Sequence, residues 1–193
     1  MKKIILSIVL VCFCIVAHAA HLKFMGIPIT GTITAFQSKL QTKGCKISKD
    51  NILLPSGIRK FKGVFAGKDC EILVWYNHRT KYVYRVRAIV DCGESTETAH
   101  NTFDFYKDLL KKKYEGVALT SDMLEDSKCK EYEFDMAVIQ PPIEVGAQAL
   151  GVIDVHIIEY DGYNEYPKTY GVAITYEDFE ESSKNDKNTL NDL

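Results

Sequence analysis

Between Arg59 and Asp91 the apolar side chains fall on alternate positions, and turn residues at Gly67-Lys68-Asp69 and Asn77-His78-Arg79-Thr80 divide the run into three strands. A segment with this period must lie in a sheet with one face covered. In the third strand Tyr82, Tyr84, Val86, Ala88 and Val90 share one face, while Arg85 and Arg87 fall on the other. That is the pattern of a half-buried antiparallel strand.

The cover comes from two helices. Thr32 is placed to cap a helix over Ile33 to Lys43, with Phe36 and Leu40 at helical spacing and Gly44 suited to a left-handed end. Ser95 or Thr96 caps a second, whose stripe is Ala99, Phe103, Tyr106 and Leu110. Lys111, Lys112 and Lys113 close it, where positive charge favours the negative end of the helix dipole. A polar connection containing Cys129 follows. Then come a strand from Glu131 to Val138 stopped by Pro141-Pro142, and two long strands, Ala147 to Tyr160 and Thr169 to Tyr176, joined by the loop Asp161 to Lys168.

Each half thus reads as a capped helix, an irregular stretch with a cysteine, and about three antiparallel strands. An echo, F-x-x-x-L-x-x-K, occurs at Phe36, Leu40 and Lys43 and again at Phe105, Leu109 and Lys112. The expected fold is α+β: a tandem helix-plus-meander with both helices on one side of an antiparallel sheet. It makes one domain over residues 20–178, with halves 20–92 and 93–178. From Glu177 onward the chain is acidic, rich in Asn, Ser and Lys and nearly without apolar residues, so residues 179–193 are expected to form a disordered tail.

The other end reads as an export signal. Lys2 and Lys3 precede an apolar run from Ile4 to Val16 and the small-residue site Ala17-His18-Ala19, with cleavage expected between Ala19 and Ala20. The run is about 13 residues, short of the roughly 20 that span a bilayer, and no later stretch is apolar enough to cross one. Lipid attachment at Cys12 or Cys14 is disfavoured, since Val11 and Phe13 precede them where a small residue is wanted. The expected location is therefore periplasmic or secreted. Loss of residues 1–19 removes two lysines and takes the formal charge from −2 to about −4, which argues against nucleic acid as a partner. Of the six cysteines, Cys45, Cys70, Cys92 and Cys129 would remain. An even count in an exported chain leads us to expect two disulfides, of undetermined pairing.

His21 to Gly44, HLKFMGIPITGTITAFQSKLQTKG, and Phe61 to Val74, FKGVFAGKDCEILV, resemble a set of small secreted proteins of gut anaerobic bacteria for which no activity is established. The resemblance implies export and a strand, turn and helix at the start of the mature chain. In the order of its elements the chain is also similar to beta-lactamase inhibitor proteins and small outer-membrane assembly lipoproteins, a likeness of plan that carries no function.

No G-x-S-x-G, H-E-x-x-H, phosphate-binding loop or dinucleotide-binding glycine pattern is present. Asp154 and His156, two apart on a strand, face the same way and are the candidate acid–base pair. No nucleophile accompanies them in sequence. Tyr160, Tyr163, Tyr166 and Tyr170 gather at the loop DGYNEYPK, where rigid rings with polar tips suit recognition of a protein or a glycan. Tyr160 and Tyr170 are equally placed to pack across the hairpin, leaving Tyr163 and Tyr166 for a ligand. Asp161, Asn164 and Glu165 match no calcium-loop spacing, so neither metal nor cofactor is expected. The leading reading is a non-catalytic binding module using Tyr163, Tyr166, Arg85 and Arg87. A hydrolase built on Asp154 and His156, or a structural partner in envelope assembly, are the alternatives.

Overall fold

A computed structural model describes residues 21–120, 133–139, 148–161 and 167–190. Two short strands, β1 (Lys23–Phe24) and β2 (Ile27–Pro28), pair with each other ahead of helix α1 (Ile33–Thr42). The meander that follows α1 is β3 (Lys46–Ile47), a 3₁₀ turn over Lys49–Leu53, β4 (Ile58–Phe65), β5 (Lys68–Tyr76) and β6 (Val83–Gly93). Helix α2 (Thr96–Lys113) opens the second half and is followed by β7 (Ala118–Thr120), β8 (Glu133–Ile139), β9 (Ala149–Tyr160) and β10 (Thr169–Asp178). A third helix, α3 (Phe179–Leu190), ends the described chain. Apart from the β1–β2 pair, the strands form one sheet of order β3-β4-β5-β6-β10-β9-β8-β7, antiparallel throughout. Helices α1 and α2 thus each lead into four strands of the sheet, and the two sets meet through their last strands, β6 and β10. The fold is α+β, with helices packed against an eight-stranded antiparallel sheet.

The helices begin where the sequence caps them. Thr32 Oγ1 accepts from the Ala35 amide at 3.3 Å, and Ser95 Oγ accepts from Thr98 at 3.1 Å. Gly44, at φ 86°, takes the left-handed position after α1. The buried stripes Ile33, Phe36, Leu40 of α1 and Ala99, Phe103, Tyr106, Leu110 of α2 belong to one hydrophobic cluster with the inward face of the sheet, including Ile72, Val86, Ile153 and Ile174. Aromatic rings tie that core across both halves. Phe65 stacks on Phe24 and Tyr106, with centroids 4.9 and 5.6 Å apart, and Tyr176 meets Phe24 edge-on at 5.4 Å. The Tyr106 hydroxyl, which a buried ring must satisfy, donates to Phe65 O at 2.8 Å.

Four expectations need correction. Among the described residues each half contributes four strands to the main sheet: the short strand expected within Cys45–Gly57 is β3, and the three-residue β7 was too short to show a period. In β6 the register against β5 shifts between Trp75 and Tyr76, so Val83 takes the core position and Tyr82 lies 46% exposed. Residues 179–190 are helical: the Asp178 carboxylate accepts from the Glu181 amide at 3.1 Å and caps α3. This helix has polar anchors in place of an apolar stripe. Glu181 accepts from Thr30 at 2.9 Å, Ser182 donates to Glu177 at 2.5 Å, and Asn77 donates to Asn185 at 2.9 Å. Finally, Cys45, Cys70 and Cys92 are free, buried thiols, and there is no disulfide among the described residues. Each fills a core position as a small apolar side chain. Burial pushes all three thiols up from their ordinary range, Cys70 to about 12. Cys129, the leader expected over residues 1–19, Tyr163, Tyr166 and residues 191–193 lie outside the described residues.

Candidate functional site

Because directly paired residues share a face of a sheet, register decides which polar side chains meet on its outward side. The central rung reads Lys60, Leu73, Arg87, Thr175, Asp154, Asp135 across β4, β5, β6, β10, β9 and β8. The rung on one side is Ile58, Trp75, Arg85, Glu177, Val152, Ala137; on the other it is Lys62, Glu71, Ile89, Ala173, His156, Glu133. Three consecutive rungs therefore place Lys60, Lys62, Arg85 and Arg87 towards the first meander and Glu133, Asp135, Asp154 and His156 towards the second. The apolar stripes of α1 and α2 sit on the opposite face, and α3 meets β6, β9 and β10 at the end carrying Glu177.

The side chains on this face are held. Arg85 grips one carboxylate oxygen of Glu177 through Nε at 2.9 Å and Nη2 at 2.5 Å. Arg87 Nε donates to Thr175 Oγ1 at 2.9 Å, and its guanidinium lies 5.5 Å from the centre of the Trp75 ring. Lys60 pairs with Glu71 at 2.7 Å. Asp154 Oδ1 and His156 Nδ1 are 2.7 Å apart, with each side chain close to 30% exposed. Asp135 stands directly across from Asp154, a like-charge juxtaposition that costs stability. Burial raises the Asp135 carboxyl above the ordinary carboxylate range; Asp154 and Glu133 add to the rise, and His156 opposes it.

Beyond the Lys62 rung the face opens into a cleft of about 790 Å³, lined by Lys43, Lys46 and Lys62 against Glu71, Asp91 and Tyr160. A Cβ on Gly171 would meet Val90 O at 3.3 Å and the edge of the Tyr160 ring at 3.4 Å. Burial pushes the Tyr160 hydroxyl up, with Glu71 and Asp91 adding and Arg87 and Lys60 opposing. The two described tyrosines of the cluster part company, for Tyr170 packs against the core while Tyr160 faces this cleft. A separate grouping, His21, Glu180 and Glu181, brings one nitrogen and two carboxylate oxygens within 4.8 Å of one another, geometry able to gather around a cation. Lys184 already bridges the two glutamates at 2.6 and 3.2 Å.

Of the residues singled out in sequence, Arg85, Arg87, Asp154 and His156 come together on one face. The cross-strand neighbours of His156 are Ala173 and Glu133, and those of Asp154 are Thr175 and Asp135, so the only hydroxyl among these four is that of Thr175. It is 4% exposed and already bonded to Arg87. Trp75, Lys60, Lys62, Glu133 and Asp135 were missed, since they join the site through the register of β4–β5, β5–β6 and β8–β9, which alternation within a strand does not encode. No family model, curated protein or solved structure matches this chain.

Proposed function

We propose that this chain is an exported, non-catalytic binding module that engages a protein or glycan partner through the outward face of its sheet. The observation that carries the reading is the sorting of charge across three rungs, basic on β4 and β6 and acidic on β8 and β9. A face polarised in this way orients a partner of complementary pattern and rejects one of the wrong sign. Trp75, stacked under Arg87, and Tyr160, at the mouth of the cleft, supply flat surface for a ring or an aliphatic side chain. The loop holding Tyr163 and Tyr166 joins β9 to β10, whose Tyr160 and Thr169 both line the cleft.

Affinity capture from the native envelope tests the proposal. The tagged chain should recover a partner that Arg87→Glu and Asp154→Lys each lose, and Tyr163→Ala with Tyr166→Ala should weaken the same capture. Undiminished recovery by the charge-reversed chains would sink the reading. The 2.7 Å contact between Asp154 and His156 favours a second reading, an enzyme in which the carboxylate orients the imidazole as a general base. That reading requires substrate to bring the nucleophile or water. It stands only if Asp154→Asn and His156→Gln abolish a turnover that the unaltered chain performs.

A further inference from the structure

The 3₁₀ turn at Lys49–Leu53 holds two adjacent apolar side chains almost wholly in water, Ile52 at 91% and Leu53 at 83% exposure. Ile47, just ahead of the turn on β3, is 43% exposed. A slack loop would fold such side chains back onto the protein. This one is clamped to the edge of β4: Asn51 Nδ2 donates to Ser48 O and Lys60 O, both at 2.7 Å, and Asn51 Oδ1 accepts from the Lys60 amide at 2.6 Å. Ser48 N donates to Lys60 O at 3.0 Å, and Leu54 N to Asn51 O at 3.3 Å. Much of the turn's polar backbone is therefore met from within, a condition for entering a medium that offers no replacement hydrogen bonds.

Charge surrounds the tip. Lys43, Lys46, Lys49 and Lys62 are exposed and make no ion pair among the described residues. Of the nearby acids, Asp50 and Glu71 face Lys60 at 4.0 and 2.7 Å, while Asp69 and Asp91 line the cleft with Lys43, Lys46 and Lys62. A chain of formal charge −2 thus carries two exposed lysines, Lys46 and Lys49, on the same short segment as its two most exposed aliphatic residues of this edge.

We propose that this turn docks the protein on an anionic lipid surface. Ile52 and Leu53 enter the boundary between headgroups and acyl chains, and the lysines meet the phosphates. An apolar wedge and a basic collar are the two signals that together give stable binding to a surface. No described helix is long and apolar enough to cross a membrane. A lipid surface fits better than a protein pocket because the tip presents paired aliphatic ends ringed by point charges, without the aromatic or arginine anchors that dominate protein interfaces. Ile52, Leu53 and Lys49 lie off the three rungs and outside the cleft, so their substitution tests this docking apart from the partner-binding face, whereas Lys46 also lines the cleft.

The test is vesicle flotation with the processed protein, starting at Ala20. The unaltered chain should float with vesicles of phosphatidylglycerol and phosphatidylcholine and not with phosphatidylcholine alone. Ile52→Ser/Leu53→Ser should weaken binding on the order of 10–100-fold, as expected for removing two inserted aliphatic side chains. Lys46→Glu/Lys49→Glu should weaken it by about 10-fold or more and abolish the preference for anionic lipid. All these side chains are exposed, so thermal melting followed by circular dichroism should match the unaltered chain, which separates lost docking from lost fold. Failure of the unaltered chain to float, or flotation unchanged by either double substitution, overturns the proposal. So does finding that Ile52 and Leu53 are needed to hold a protein partner while vesicles are ignored.

Discussion

Gly151 on β9 approaches the next strand so closely that a Cβ would lie 2.1 Å from Glu177 O, a backbone atom that cannot swing aside. Gly151→Ala should therefore lower stability by about 2 kcal/mol or more, read as a shift of the urea midpoint. Asp178, fully buried, gives a pH signature. Burial raises its carboxyl above its ordinary value of 3.8, against the opposing bonds from Glu181 and Leu22 and the nearby His21. A raised folded value means that the native state holds the proton longer than the unfolded chain. The stabilising term is complete below pH 3.8 and is lost as pH rises through the higher folded value. Asp178→Asn should remove that falling component from a stability–pH curve, and an unchanged curve would show that Asp178 does not supply it. At the same scale, Cys70, pushed up to about 12, should resist alkylation at pH 8 until the protein is unfolded. Strand alternation was enough to put Arg85, Arg87, Asp154 and His156 on outward positions, because period two is a local property. It could not foresee the thiols, whose burial depends on Gly63 leaving space for Cys45 and on the packing of α2 beside Cys92.

Helices α1 and α2 were legible to within a residue or two because cap, stripe and terminator agree in each. Ser95→Ala should cost about 1 kcal/mol through the lost bond to Thr98, measured by chemical denaturation. Helix α3 escaped because it carries little apolar surface and a composition test weighs little else. Its signal was nonetheless present as Asp178 and Glu181, a cap residue and an acid at capping-box spacing. The bonds of Glu181 to Thr30, Ser182 to Glu177 and Asn185 to Asn77 anchor it to three separate segments. Ending the chain after Asp178 should cost roughly 2–4 kcal/mol, the sum expected for three part-buried hydrogen bonds. A truncated chain as stable as the original would restore the view of this segment as an inert tail.

The tandem plan was visible in the repeated order of helix and strands, whereas the joining of the meanders was not, because pairing between distant strands leaves no periodic trace. A single core runs under both halves. Unfolding should therefore be one transition, with the fluorescence of Trp75, the only tryptophan, coinciding with circular dichroism of the whole chain. Two separated transitions would show that the halves are independent. The position of β10 has a temporal consequence. It is the last strand to be made, yet it occupies the middle of the sheet between β6 and β9. During synthesis both neighbours wait with a bare edge, and the rings of Phe24 and Phe65 lack Tyr176 as their closing contact. The sheet can be completed only once β10 has left the ribosome, so folding waits until the chain has been made through Asp178. A chain timed in this way stays extended and threadable until β10 has been made.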